Sequence, residues 1–303
     1  MEPNKKQDPQ VSIIVAVTED RGLDSIFDLL DSFFPQDGDV EFEFIVVDEA
    51  DARREQIFRE RFPWVTLIQT EKLMPVPYQR NVALPRARGE ILAFADDHVF
   101  FPRNYLKGLI EALSSGYRIA GGPVANANPE TLASWVQYLS EYHKWFPMTP
   151  EGEVDDLPGS NFAYRTDLLR ELKPFLTGQF GVETHLHKQA RKGGEKLYFS
   201  HGLEIAHIND ERWSFILSRR FAYGRLFAAR RGFPLWKRIV YVALSPLIAL
   251  VEYGRIFGQA RHDRSYLAKF IQTTPMLLPT LLVWMAGEST GYLFGPRRSD
   301  ITD

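Results

Sequence analysis

The 303-residue sequence has no cysteine. Disulfides and thiolate metal sites are therefore excluded, although that absence leaves the compartment open. Neither sign of charge dominates: 36 Lys and Arg against 39 Asp and Glu give a net charge of −3, which offers no general reason for a nucleic-acid partner. No Gly-x-Gly-x-x-Gly follows the first apolar run and there is no Walker phosphate loop, so a dinucleotide Rossmann domain and ATP hydrolysis are not supported. Residues 1–10 are polar, carry Pro3 and Pro9 and lack an apolar core. They are expected to be a disordered tail and not a signal peptide, with the catalytic part on the cytoplasmic side.

What is present begins with alternation. Val11–Val17, Phe42–Val47 and Val65–Ile68 are β-branched or apolar runs, separated by stretches of helical spacing such as Leu23, Ile26, Phe27, Leu30 and Phe34. This pattern predicts right-handed βαβ units in a mostly parallel, Rossmann-like sheet flanked by helices, an α/β fold. The centre is Gly89–Val99, in which the apolar run Ile91–Ala95 ends in Asp96-Asp97-His98. On an extended segment Asp96 and His98 point the same way. Oxygen plus imidazole suits a divalent cation, Mn²⁺ more readily than Mg²⁺, and such a cation would neutralise the diphosphate of a nucleotide. The plainer alternative is that Asp96 caps the helix beginning near Pro102. With Thr18–Asp20 and Asp48–Asp51 also polar at strand ends, one crevice at the carboxyl edge of the sheet is predicted to bind a nucleotide.

Thr18/Glu19, Val46-Val47-Asp48-Glu49, Arg80-Asn81, Gly89-Glu90 and Asp96-Asp97-His98, in that order, resemble the nucleotide-binding half of a family 2 inverting glycosyltransferase with the GT-A fold, of the bacterial membrane-associated type. The resemblance covers about residues 11 to 295. It implies that Thr18, Glu19 and Asp48 meet base and ribose, that Arg80, Asp96 and Asp97 serve the nucleotide and its phosphates, and that Asp96 and His98 bind metal. His98 stands where the family has a second Asp, a departure shared with the polypeptide N-acetylgalactosaminyltransferases. Pro158–Arg165 resembles the Gly-x-Asn-x-Ala segment under the donor sugar and acceptor, which implies roles for Gly159, Ser160 and Asn161. Phe180–Leu186 is similar to the stretch carrying the general base. It places Glu183 at that position, with Val182 replacing the neighbouring acid. The local alternative for Glu183 is a first-turn glutamate favoured by the helix dipole. His207, at the end of Leu203–His207, is the third metal ligand by the same resemblance. Arg219 and Arg220 lie on a basic, aromatic helix similar to one that closes over the diphosphate, or else are solvated charges on an amphipathic helix.

The predicted organisation is a tail over 1–10, a GT-A domain over 11–210, and an amphipathic helix plus an apolar helical region over 211–303. Ile239–Val251 and Met276–Ala286 each fall short of the about 20 residues that span a bilayer. With the basic stretch Arg212–Arg238 beside them, they suggest a membrane-associated helical hairpin on the cytoplasmic face, with two tilted spans or a soluble cap as alternatives. The aromatic stripe Trp135–Trp145 reads as core packing before it reads as a sugar platform. The whole implies a metal-dependent transfer from a nucleotide sugar, UDP-linked, to a lipid-linked or glycan acceptor in cell-surface polysaccharide or glycolipid synthesis. The competing readings are a sugar nucleotidyltransferase and an inactive sugar-nucleotide binding protein.

Overall fold

The computed structural model describes residues 8–18, 24–172 and 182–295. In chain order these form β1 (Val11–Ala16), α1 (Asp24–Phe33), β2 (Phe42–Glu49), α2 (Ala52–Arg61), β3 (Val65–Thr70), α3 (Val76–Ala83), β4 (Ile91–Asp96), β5 (Val99–Phe100), α4 (Tyr105–Ser114), β6 (Ile119–Gly121) and β7 (Val124–Asn126). There follow α5 (Leu132–Tyr142), β8 (Gly152–Val154), β9 (Asn161–Arg165), α6 (Thr166–Leu172), α7 (Val182–Lys192), β10 (Leu197–Phe199), β11 (Ile205–His207), α8 (Trp213–Arg230), α9 (Leu235–Ala243), α10 (Ser245–Ala260) and α11 (Arg264–Phe294). The chain divides into two compact units, Met1–Ala125 with Pro150–His207, and Asn126–Thr149 with Ile208–Asp303.

The first unit is built on an eight-stranded sheet of order β3-β2-β1-β4-β9-β6-β10-β8. β3, β2, β1 and β4 are mutually parallel, while β9 runs antiparallel to β4 and β6. β1 is buried along its whole length and β4 up to Ala95, which is why their sequences are continuous apolar runs without alternation. In the register, Ala16 lies between Val47 and Asp96, so Thr18, Asp48 and Asp96 all emerge at one carboxyl edge. β6 and β7 are separate strands, because Gly122-Pro123 interrupts the pairing between them. A Cβ at Gly122 would come within 2.5 Å of the Leu203 carbonyl, so only glycine lets the chain leading into β11 pass there.

The second unit is helical. Its segment 126–149, which the sequence pattern left inside the first domain, is held by the aromatic stripe: Trp135, Tyr138 and Phe146 surround Tyr266 of α11 at centroid distances of 4.9 to 6.1 Å. α10 and α11 form the C-terminal helical hairpin. α11 outruns the apolar stretch that marked it, because its 31 residues continue through Pro275 and Pro279. Hydroxyls of Thr273 and Thr274 donate to the carbonyls of Lys269 and Phe270 in the turn before Pro275. By length and composition α11 is able to cross a membrane, and α9 with α10, bent by 67°, form a second candidate.

α11 also meets α8 backbone to backbone. A Cβ at Gly287 would lie 2.2 Å from the Phe221 carbonyl oxygen, and one at Gly291 2.1 Å from that of Arg225. Neither obstacle is a side chain able to swing away. Gly291→Val is therefore expected to destabilise the fold by about 3 kcal/mol, read as a lowered midpoint of thermal unfolding.

Candidate active site

The site starts from β4, which delivers Asp96 to the carboxyl edge, and from the short turn that leads into β5. β5 pairs antiparallel with β11, and His207 sits opposite Val99. That pairing carries a residue more than a hundred positions away to the side of His98, the two rings lying 4.5 Å apart at 69°. One ligand atom each from Asp96, His98 and His207 falls within 4.8 Å of the others, the one group of this kind among the described residues. Ligands about 2.1 Å from a common ion stand about 3 Å apart when adjacent and about 4 Å apart when opposite. A small contraction would close the trio on a cation.

Asp97 lies behind this group. Its side chain is wholly buried, accepting from Thr18 N and Oγ1 at 3.0 Å each and from Ser25 at 3.4 Å, with His98 Nδ1 2.7 Å away. Burial alone would raise its pKa, but the bonds from His98 and Thr18 outweigh it and hold Asp97 below the ordinary carboxylate range. The sequence pattern offered Asp97 to the nucleotide. In the structure every oxygen it has is occupied inside the protein, and its effect is to orient His98 with Nε2 left over, the carboxylate–imidazole arrangement that metal sites use. Burial pushes the Asp96 carboxyl up, opposed by His98 and Arg80.

Arg80 joins this trio to Glu183. Only 1% exposed, its guanidinium pairs with Glu183 through one terminal nitrogen, while the other donates to the Gly159 carbonyl at 3.0 Å and lies 3.6 Å from Asp96. The rings of Phe94 and Phe162 flank it at 5.6 and 5.3 Å. A buried guanidinium held by two carboxylates and two aromatic faces is fixed in place. Glu183 is in the first turn of α7, as the helix-dipole alternative expects.

The segment before β9 divides its roles. Asn161 donates to the carbonyl of Leu203 at 2.6 Å and its oxygen accepts from Tyr105 at 3.1 Å, so it ties β9 to the turn that leads into β11. Ser160 Oγ is buried without a hydrogen-bond partner among the described residues. Asp48 is buried against Arg54, 2.6 Å away, and its pKa is raised by burial although Arg54 opposes this. Glu19 lies outside the described residues. Arg219 and Arg220 belong to the second unit, where Arg219 donates to the Tyr223 hydroxyl at 3.0 Å. Arg220 is buried there with Ser140 and Glu141.

Sequence reasoning gave no role to one further pair: His187 is fully buried, with Nδ1 2.7 Å from Oδ1 of the half-buried Asp156. Its position four residues after Glu183, one helical turn on, was the available signal.

Residues 12–173 match the sequence profile described as Glycosyl transferase family 2. No curated protein sequence matches the chain. Among solved structures, the fold is similar to the mannosyltransferase PcManGT of Pyrobaculum calidifontis, in complex with GDP-Man and Mn²⁺, at 18% identity and a TM-score of 0.59, covering 96% of this chain and 89% of that one. It is also similar to GalNAc-T7 with UDP, GalNAc and Mn²⁺, at 12% identity and a TM-score of 0.52 over 75% of this chain and 52% of that one. Residues 1–349 of S. aureus TarS share 18% identity and a TM-score of 0.50, over 93% and 89% of the two chains.

Proposed function

We propose, because the chain belongs to glycosyl transferase family 2, that it moves a sugar from a UDP-sugar to an acceptor hydroxyl with inversion at the anomeric carbon. One observation carries this reading: in a single unit, a cation-binding trio and the Glu183 carboxylate are joined through Arg80. Asp96, His98 and His207 would hold a divalent cation, and their two imidazoles favour Mn²⁺ over Mg²⁺. When bound, it would act as a Lewis acid on the diphosphate leaving group. Mn²⁺ also accompanies PcManGT and GalNAc-T7.

Glu183 takes the proton of the acceptor hydroxyl as that oxygen attacks from the face opposite the diphosphate. A single displacement inverts the configuration and needs no covalent intermediate. Asp97 keeps His98 oriented, Thr18 and Asp48 front the nucleoside at the strand ends, and the Ser160 hydroxyl is free to meet the sugar. We assign the acceptor to a lipid-linked sugar or glycan at the cytoplasmic face of a membrane. In support, Leu235, Trp236, Ile239, Val240 and Leu247 present exposed apolar surface on α9 and α10, with Lys237 and Arg238 among them.

The test offers the protein UDP-glucose, UDP-N-acetylglucosamine, UDP-galactose and GDP-mannose, with Mn²⁺ or with EDTA. Release of UDP that depends on Mn²⁺ is expected. Pyrophosphate from UTP and a sugar phosphate would point instead to nucleotidyl transfer, and binding without release to an inactive binding protein.

A further inference from the structure

The Asp156–His187 pair has no part in the reaction just described, yet it lies one helical turn from Glu183. Glu183 and His187 are four residues apart on α7 and so leave the same face of the helix. The His187 ring packs parallel to Tyr164, at an interplanar angle of 14°, and edge-on to Phe162, at 84°. Phe162 is also one of the rings against the Arg80 guanidinium. Asp156 bonds His187 through one oxygen and accepts from Thr184 Oγ1 at 3.1 Å through the other. It therefore grips α7 at two residues in the turn that carries Glu183.

Asp156 also opens the loop that leads through Gly159 to Ser160. At the far end of this loop the Gly159 carbonyl accepts from Arg80, and Arg80 pairs with Glu183. The first turn of α7 and the loop are thus fastened at two points, with Glu183 held between. Filling this space alone would not call for a buried imidazole paired with a half-buried carboxylate, since an apolar side chain fills volume without the desolvation cost. Directional bonds do what apolar packing does not: they fix the rotation of the helix about its axis. A small rotation displaces a glutamate carboxylate by about 1 Å, enough to cost a reaction about 10²-fold.

We infer that Asp156 and His187 are positioning residues that aim Glu183 at the acceptor hydroxyl. The inference rests on the reading of Glu183 as the base. It is tested with Asp156→Asn, His187→Gln and Thr184→Val beside Glu183→Gln, using the UDP-sugar that the wild-type protein turns over fastest in Mn²⁺. Asp156→Asn and His187→Gln are expected to lower kcat by about 10- to 100-fold, and Thr184→Val by about threefold. Donor KM and the affinity for Mn²⁺, measured by calorimetry, should stay within about twofold, and Asp156→Glu should recover part of the lost kcat. If the wild-type protein releases no UDP, or Glu183→Gln remains active, the reading of the base falls and this inference with it. If Glu183→Gln is inactive while the other variants keep wild-type kcat, this inference alone is overturned. It is equally overturned if KM and Mn²⁺ affinity deteriorate in step with kcat, as general loosening would produce. Should Asp156→Asn fail to fold, Thr184→Val, at an exposed position, decides the matter.

Discussion

Glu183→Gln is expected to reduce turnover by about 10²- to 10⁴-fold while leaving UDP affinity within about twofold. The amide has the volume of the carboxylate and still offers Arg80 an oxygen, so the wall of the pocket should stand. It has no means of accepting a proton from a hydroxyl, and the attacking oxygen then reaches the anomeric carbon without a base. The measurement is UDP release on the productive donor, with UDP binding followed by calorimetry on the same preparation. Turnover within about tenfold of wild type would remove Glu183 from the reaction. Loss of UDP binding in parallel would mean that the substitution damaged the pocket and not only the chemistry.

The second large effect concerns the cation. His207→Ala takes away one of the three proposed side-chain ligands, and Mn²⁺ affinity should fall by more than the about 10- to 100-fold that loss of an outer partner costs. Asp97→Asn provides that comparison, because Asp97 acts through the His98 ring. The expected order is therefore wild type tightest, Asp97→Asn weaker, His207→Ala weakest, read by Mn²⁺ titration without nucleotide. An unchanged titration for His207→Ala would take the residue out of the site. In turnover the His207 variant should become limited by added Mn²⁺, whereas Glu183→Gln should not respond to it.

Much of this architecture is legible in the chain because buried parallel strands write themselves as apolar runs, and because their polar ends mark the crevice. Val11–Ala16 and Ile91–Asp96 show both properties. Asp96 and His98 are close in sequence, and an extended backbone puts them on one side by local geometry alone. His207 is different: nothing near it in sequence says that β11 pairs with β5, and it was placed by resemblance. What stayed hidden depends on long-range partners. Asp97 looks like its neighbour Asp96, but burial against Thr18 and Ser25 turns it inward. His187 carries no local mark of its carboxylate, which lies 31 positions earlier. The grouping of 126–149 with the C-terminal helices was likewise unreadable, since it rests on rings meeting Tyr266. The length of α11 was hidden too, since its 31 residues continue through Pro275 and Pro279 well beyond the apolar stretch Met276–Ala286.

Arg80 sits between Asp96 and Glu183 as their shared counter-ion. One positive charge between two negative ones leaves the pocket with a negative excess, and Asp97 behind His98 deepens it. On the proposed reading, a bare diphosphate would be repelled by that field, whereas a divalent ion would be drawn in and would reverse its sign. The order of addition expected from this is metal first, or metal and nucleotide together as a preformed complex, and the nucleoside diphosphate would leave with its ion.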